Sequence, residues 1–139
     1  MARGPENTFI ASIHRLLPKA IYALKNHNEL NGGIADVWYD GPLGDLWVEY
    51  KFITVPKRDT TVIDLCGGKN PPLSKLQQQW LADRHRHGRK VAVVVGCKDG
   101  GVWYLPCEWT KPISAADFRA LVASRQQIAQ WISEYTCRG

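Results

Sequence analysis

Hydrophobic residues recur along this chain first at helical spacing, then in strict alternation. Phe9, Ile10, Ile13, Leu16 and Leu17 follow the helical period and predict an amphipathic helix over 6–17. Pro18 interrupts it and suits the first position of a second helical stretch reaching about Asn26. Asn31-Gly32-Gly33 is a turn signal. Two alternating runs follow it, predicting strands over 34–40 and 45–53 joined by Gly41-Pro42-Leu43-Gly44. Residues 54–73 hold Pro56, Gly67, Gly68, Pro71 and Pro72 and predict a long mobile loop, of a length often functional in small domains. Ser74 caps a predicted helix to about His87, with Gly88 as its stop. Val91 to Val95 is continuously apolar, as a central strand buried on both faces would be. Residues 101–105 predict its hairpin partner across Lys98-Asp99-Gly100, and Ser114 to Asp117 suit a capping box opening a last helix over 114–135. The order α-β-β-α-β-β-α predicts an α/β fold, an α+β sandwich with a mixed central sheet flanked by helices.

With 139 residues, 45% of them apolar, the chain is sized for a single domain spanning 1–139. No stretch approaches the roughly 18 apolar residues of a membrane span, so no membrane role is expected. Met1 to Glu6 are not followed by the apolar run of a signal peptide. The expected location is cytoplasmic, the host's cytoplasm if the gene is carried by a phage. Cys66, Cys97, Cys107 and Cys137 lack zinc-finger spacing and predict free thiols.

The net charge of +5 suits nucleic acid, and its distribution sharpens that picture. Residues 84–90 combine Arg84, Arg86, Arg89 and Lys90 with His85 and His87, which suits phosphate contact as well as a solvated helix end. Lys51, Lys57, Arg58, Lys69 and Lys75 form a looser second group. His14 and His27 share no spacing with the other histidines and receive no catalytic role.

The hairpin carries the chemistry. If Asp40 faces Asp45 across the turn, matched steps along the two strands bring Asp36 opposite Glu49. Opposed side chains have Cβ atoms about 5 Å apart, near enough for two carboxylates to share a cation. Lys51 follows on the same face, and so by parity do Trp38 and Trp47, where they could touch a sugar or base. Val37, Tyr39, Leu46, Val48, Tyr50 and Phe52 make the other face a core face. The polar face suits either a metal site or a solvated surface on which Lys51 offsets Glu49. Two placements favour the first. Gln77 falls within the stripe of Leu73, Leu76, Trp80 and Leu81, and Glu6 extends the stripe of the first helix, so both are expected to point inward. Trp80, Trp103 and Trp131 suit core or interface positions.

Gly33 to Val37, then Trp47-Val48-Glu49-Tyr50-Lys51, then Leu73 to Gln77 with Trp80, together resemble the PD-(D/E)XK nuclease superfamily over about residues 6–96. The likeness is to its VRR-NUC and phage endonuclease branches, which include junction resolvases. Ala35 departs from the pattern, which has proline before the aspartate. The resemblance implies a restriction-endonuclease-like core. It also implies Mg²⁺ or Mn²⁺ bound by Asp36, Glu49 and the Tyr50 carbonyl. Lys51 would orient the attacking water, Gln77 would support the site, and Glu6 would assist the metal or its water. The implied activity is that of a metal-dependent DNA endonuclease, structure-selective on branched DNA like a Holliday junction resolvase and leaving a 5′-phosphate and a 3′-hydroxyl. A single site cuts one strand, and Phe118, Leu121, Val122, Ile128, Ala129, Ile132 and Tyr135 form a broad apolar stripe, so a homodimer is expected. The alternatives are a nicking or general DNA endonuclease and, from another class, a non-catalytic nucleic-acid-binding module.

Overall fold

A computed structural model describes residues 4–26 and 33–137. Asn31 and Gly32 of the expected turn, and His27, lie outside the described residues. Twelve elements follow one another: α1 (Pro5–His14), β1 (Tyr22–Lys25), β2 (Val37–Gly41), β3 (Gly44–Phe52), β4 (Val62–Ile63), α2 (Lys75–Arg86), β5 (Val91–Cys97), β6 (Gly100–Tyr104), a 3-10 turn (Glu108–Thr110), β7 (Ile113–Ser114), α3 (Ala115–Leu121) and α4 (Arg125–Cys137). Five strands form the main sheet in the order β1-β2-β3-β5-β6. β3 and β5 run parallel, joined by the crossover through α2, and the other neighbours are antiparallel.

Strand alternation divides the interior in two. Val37, Tyr39, Leu46, Val48, Tyr50, Ala92 and Val94 pack beneath α1 and α4, meeting Phe9, Ile10, Ile13, Ile128 and Ile132. Val91, Val93 and Val95 face the other way, toward Leu73, Leu81, Trp109 and Phe118. β5 is buried along its whole length, as its unbroken apolar run predicts. Each large aliphatic here contributes about 2–5 kcal/mol against truncation to alanine. Gly96 lets α1 come close, because a Cβ there would lie 2.7 Å from the Phe9 ring.

Several expectations need correction. The first helix ends at His14, and Leu16 is exposed beyond it. The second helical stretch is instead strand β1, whose backbone pairs with β2 from Tyr22↔Asp40 to Lys25↔Val37. Edge pairing outweighs helical propensity in so short a segment. Residues 54–73 are built into the fold rather than forming a mobile loop. β4 pairs with β7, Ile63, Leu65 and Leu73 are buried, and Arg119 donates to Asp59 at 2.8 Å. The last helix is two helices. Ser114 caps α3 by accepting from the Asp117 N–H, and Ser124 caps α4 by accepting from the Gln127 N–H. Between them Ala123 exchanges backbone hydrogen bonds with Gly101 of β6. This break explains the broad stripe: Phe118 serves one core while Ile128, Ala129 and Ile132 serve the other. Most of that apolar surface is therefore used within the domain, with Leu121 left 57% exposed. Leu76 also leaves its expected stripe and is 60% exposed. Among the described residues no helix is long and apolar enough to cross a membrane, and the four cysteines are free thiols.

A polar chain runs through the first core. The His14 Nε2 lies 2.8 Å from the Tyr39 hydroxyl, which lies 2.5 Å from the Tyr50 hydroxyl. Burial, then the charge of Lys25, lowers the His14 pKa to about 4. Stability associated with neutral His14 is present above the usual histidine range and is lost as pH falls from 6.5 toward 4. His14→Gln, which can still bond Tyr39 but does not titrate, should flatten the fall in Tm across that window. Parallel falls in both proteins would contradict this.

Candidate active site

β3 is the foundation of the site because it is central, with β2 on one side and β5 on the other. The registered pairs of the β2–β3 hairpin run from Gly41↔Gly44 to Val37↔Val48, the alignment expected from the turn. Asp36 and Glu49 are the next opposed positions, just past the end of the ladder. The expected strand over 34–40 begins late, at Val37, for a local reason. The Asp36 Oδ2 accepts the Tyr50 N–H at 2.9 Å, so a side chain takes the donor that a continuing strand would have paired. The Asp36 carbonyl accepts the Asn26 N–H on its other side. On β3, Trp47 and Ile53 donate backbone N–H groups toward the β5 side, to Lys90 and Gly96. By alternation, both backbone polar groups of Tyr50 lie on the opposite edge, with Asp36.

Glu49 is 1% exposed, a buried carboxylate surrounded by Asp36, Lys51 and Gln77. Its Oε2 accepts from the Gln77 Nε2 at 3.0 Å and lies 3.3 Å from the Lys51 ammonium, while its Oε1 is buried with no hydrogen-bond partner. Burial, then the charge of Asp36, raises its pKa to about 9 against the opposing pull of Lys51. A carboxyl–carboxyl hydrogen bond with Asp36 also favours the protonated form, so Oε1 lacks a donor only when both carboxyls are ionised. Lys51 is largely sheltered, at 17% side-chain exposure.

Gln77 reaches the site through the start of α2. Its Oε1 accepts the Ser74 N–H at 2.9 Å and its own N–H donates to the Ser74 Oγ at 3.1 Å, completing a capping box. The amide end is left to donate to Glu49. Gly33 permits this approach: its φ is +99°, and a Cβ would stand 2.7 Å from the Leu76 carbonyl oxygen.

Glu6 faces the site from α1. Burial, then Asp36, raises its pKa, while Lys51 and Lys25 pull it down. Among the described residues no three His, Cys, Asp or Glu side chains converge as a ready-made metal cage. The acidic centre is therefore the Asp36–Glu49 pair, with Glu6 within electrostatic reach. The donor chemistry fits a hard divalent cation: carboxylate oxygens, a backbone carbonyl edge and an unpartnered buried oxygen that carries negative charge once ionised.

Lys25 was missed in the sequence. It interacts with Glu6 and donates to the Asn7 Oδ1 at 3.0 Å, but it belongs to a four-residue strand whose alternation is too short to register. The expected phosphate-binding residues are spread out. Lys57, Arg58, Lys69 and Lys75 are exposed. Arg84 lies over Trp80, Arg86 pairs with Asp83 at 2.7 Å, Arg89 is exposed, and Lys90 lies over Tyr135. The basic run thus faces more than one way.

The five-stranded mixed sheet flanked by helices defines a resolvase or restriction-endonuclease-like α/β fold. Among solved structures it is similar to Hjc, a Holliday junction resolvase from the hyperthermophilic archaeon Archaeoglobus fulgidus. The TM-score is 0.53 and the identity 13%, over 89% of this chain and 99% of that one. No protein-family model matches the chain, and no curated protein matches it in sequence.

The strained carboxylate has a stability signature. A raised folded-state pKa means stability is lost as pH climbs from the usual glutamate range toward 9, at up to about 1.4 kcal/mol per pH unit. Glu49→Gln should therefore raise the metal-free Tm more at pH 8 than at pH 5. An equal or opposite change at the two pH values would contradict the description of Glu49.

Proposed function

We propose that this protein is a metal-dependent DNA endonuclease, with Asp36, Glu49, Lys51 and Gln77 at its active centre and Glu6 in support. The observation that carries this reading is the buried, half-partnered Glu49 carboxylate opposite Asp36 and beside Lys51. A structural role alone gives no reason to bury Glu49 beside the partly exposed Asp36, since opposed like charges destabilise a sheet. The resemblance of the motifs to PD-(D/E)XK nucleases and the fold shared with a resolvase support the same conclusion.

Asp36, Glu49 and the Tyr50 carbonyl would hold Mg²⁺ or Mn²⁺, which when bound neutralises phosphate charge and makes a coordinated water more acidic. The protein's own groups supply the rest. Lys51 holds Glu49 toward its ionised form and places a positive charge where negative charge grows on the phosphate. Gln77 fixes the Glu49 carboxylate from the helix side, leaving the other oxygen free to act as a ligand. Glu6, whose pKa burial and Asp36 raise, would accept or return a proton of the attacking water.

The preferred substrate is branched DNA, as for the structural relative, and the active form is a homodimer that places two centres on opposed strands of a junction. This finer reading rests on fold likeness and on the need for paired cuts. VRR-NUC-type kinship rests on the motifs alone.

Incubation with Mg²⁺ and linear, nicked, flapped and four-way DNAs tests the reading. Cleavage should require Mg²⁺ or Mn²⁺ and be greatest on the four-way substrate. Asp36→Asn should abolish cleavage while DNA is still bound, and Lys51→Ala should slow it at least about a hundredfold with little change in affinity. Cleavage by Asp36→Asn at the normal rate would overturn the site. Equal rates on linear and four-way DNA would reduce the reading to a general or nicking endonuclease.

A further inference from the structure

Among the described residues, no helix covers β1 and β2 on the half of the sheet face beside the acidic pair, and this half is lined with aromatic rings. Tyr22 and Trp38 have centroids 6.2 Å apart, Trp38 and Trp47 6.2 Å, and Trp47 and Trp80 5.2 Å. The Arg84 guanidinium closes the row, 6.0 Å from the Trp80 centroid. Tyr22 is 56% exposed and the three tryptophans are partly exposed. The row adjoins the site: Trp38 lies two residues after Asp36 and Trp47 two before Glu49, on the same face. Arg84 lies seven residues beyond Gln77, about 10 Å along the axis of α2.

We propose that this row is a stacking platform for unpaired bases of the DNA strand entering the site, so that the enzyme reads single-stranded character next to the cut. The inference rests on the nuclease reading for its link to cleavage, but it stands on separate residues. Aromatic faces stack on bases of any sequence, and only unpaired bases have free faces to offer. Trp47 and Trp80 pack partly on the core, and the Trp38 indole donates to the Asp45 Oδ2 at 2.7 Å, so the rings are held in place before a ligand arrives. The Arg84 Nε is a buried donor without a partner, and its guanidinium supplies positive charge at the end of the row. Asp40 and Asp45 face each other at the far end of the hairpin, which directs a phosphate chain toward the Arg84 side.

The test is equilibrium binding in EDTA, independent of cleavage. The probes are a labelled oligothymidylate, an abasic strand of equal length and charge, and a duplex. The wild-type protein should bind the oligothymidylate about tenfold more tightly than the abasic strand, with quenching of tryptophan emission. Trp38→Leu should remove most of that preference while changing duplex affinity by about twofold or less. Equal affinity of the wild-type protein for the oligothymidylate and abasic strands overturns the platform, and this comparison needs no variant to fold. A dimer that dissociates in Trp38→Leu without loss of base preference also overturns it, assigning the face to a second copy of the chain. If base-dependent binding holds but no DNA is cleaved with Mg²⁺, the nuclease reading fails and the platform remains.

Discussion

A glutamate carboxylate buried in the middle of a sheet, with one oxygen satisfied and the other not, is the constraint around which this protein is arranged. β3, flanked by β2 and β5 and covered at Glu49 by Gln77 of α2, is the strand that buries it. Burial and the adjacent Asp36 oppose its ionisation, while Lys51 and Gln77 partly compensate. A water-filled surface would relieve this tension by solvation. Here the covering helix limits that, and burial together with Asp36 holds the carboxyl toward its protonated form, with its pKa raised to about 9.

The same constraint ties distant local features together. The Gln77 side chain completes the cap of α2 with one end and holds Glu49 with the other, so helix start and carboxylate are positioned as one unit. Gly33 keeps that helix close by leaving no Cβ against Leu76. Asp36 ends the β2 ladder by taking the Tyr50 N–H, and in doing so stands opposite Glu49 instead of being absorbed into the strand. Termination of a strand, capping of a helix and assembly of the acidic centre are thus parts of one arrangement.

Much of this was legible in the sequence because the hairpin and α2 carry strong local signals. The turn set the β2–β3 register, Ser74 and Gly88 marked the ends of α2, and the run from Val91 marked the central strand. Glu49, Lys51 and Gln77 came together as residue parity and helical phase implied. Strand β1 was hidden because four residues show too little alternation, and Lys25 was hidden with it. The break between α3 and α4 was hidden for another reason. Apolar residues continue through 114–135, and only the tertiary pairing of Ala123 with Gly101 separates the two helices. Segment 54–73 read as loose because its order depends on β7 and Arg119, far away in sequence.

Direct measurement of Mn²⁺ binding by its electron paramagnetic resonance signal reaches the central claim without relying on turnover. The wild-type protein at neutral pH should take up Mn²⁺ with loss of the free-ion signal, Mg²⁺ should compete for the same site, and Asp36→Asn should abolish uptake while the protein stays folded. Undiminished uptake by Asp36→Asn, or none by the wild-type protein, would contradict the assignment of the Asp36–Glu49 pair as a metal centre.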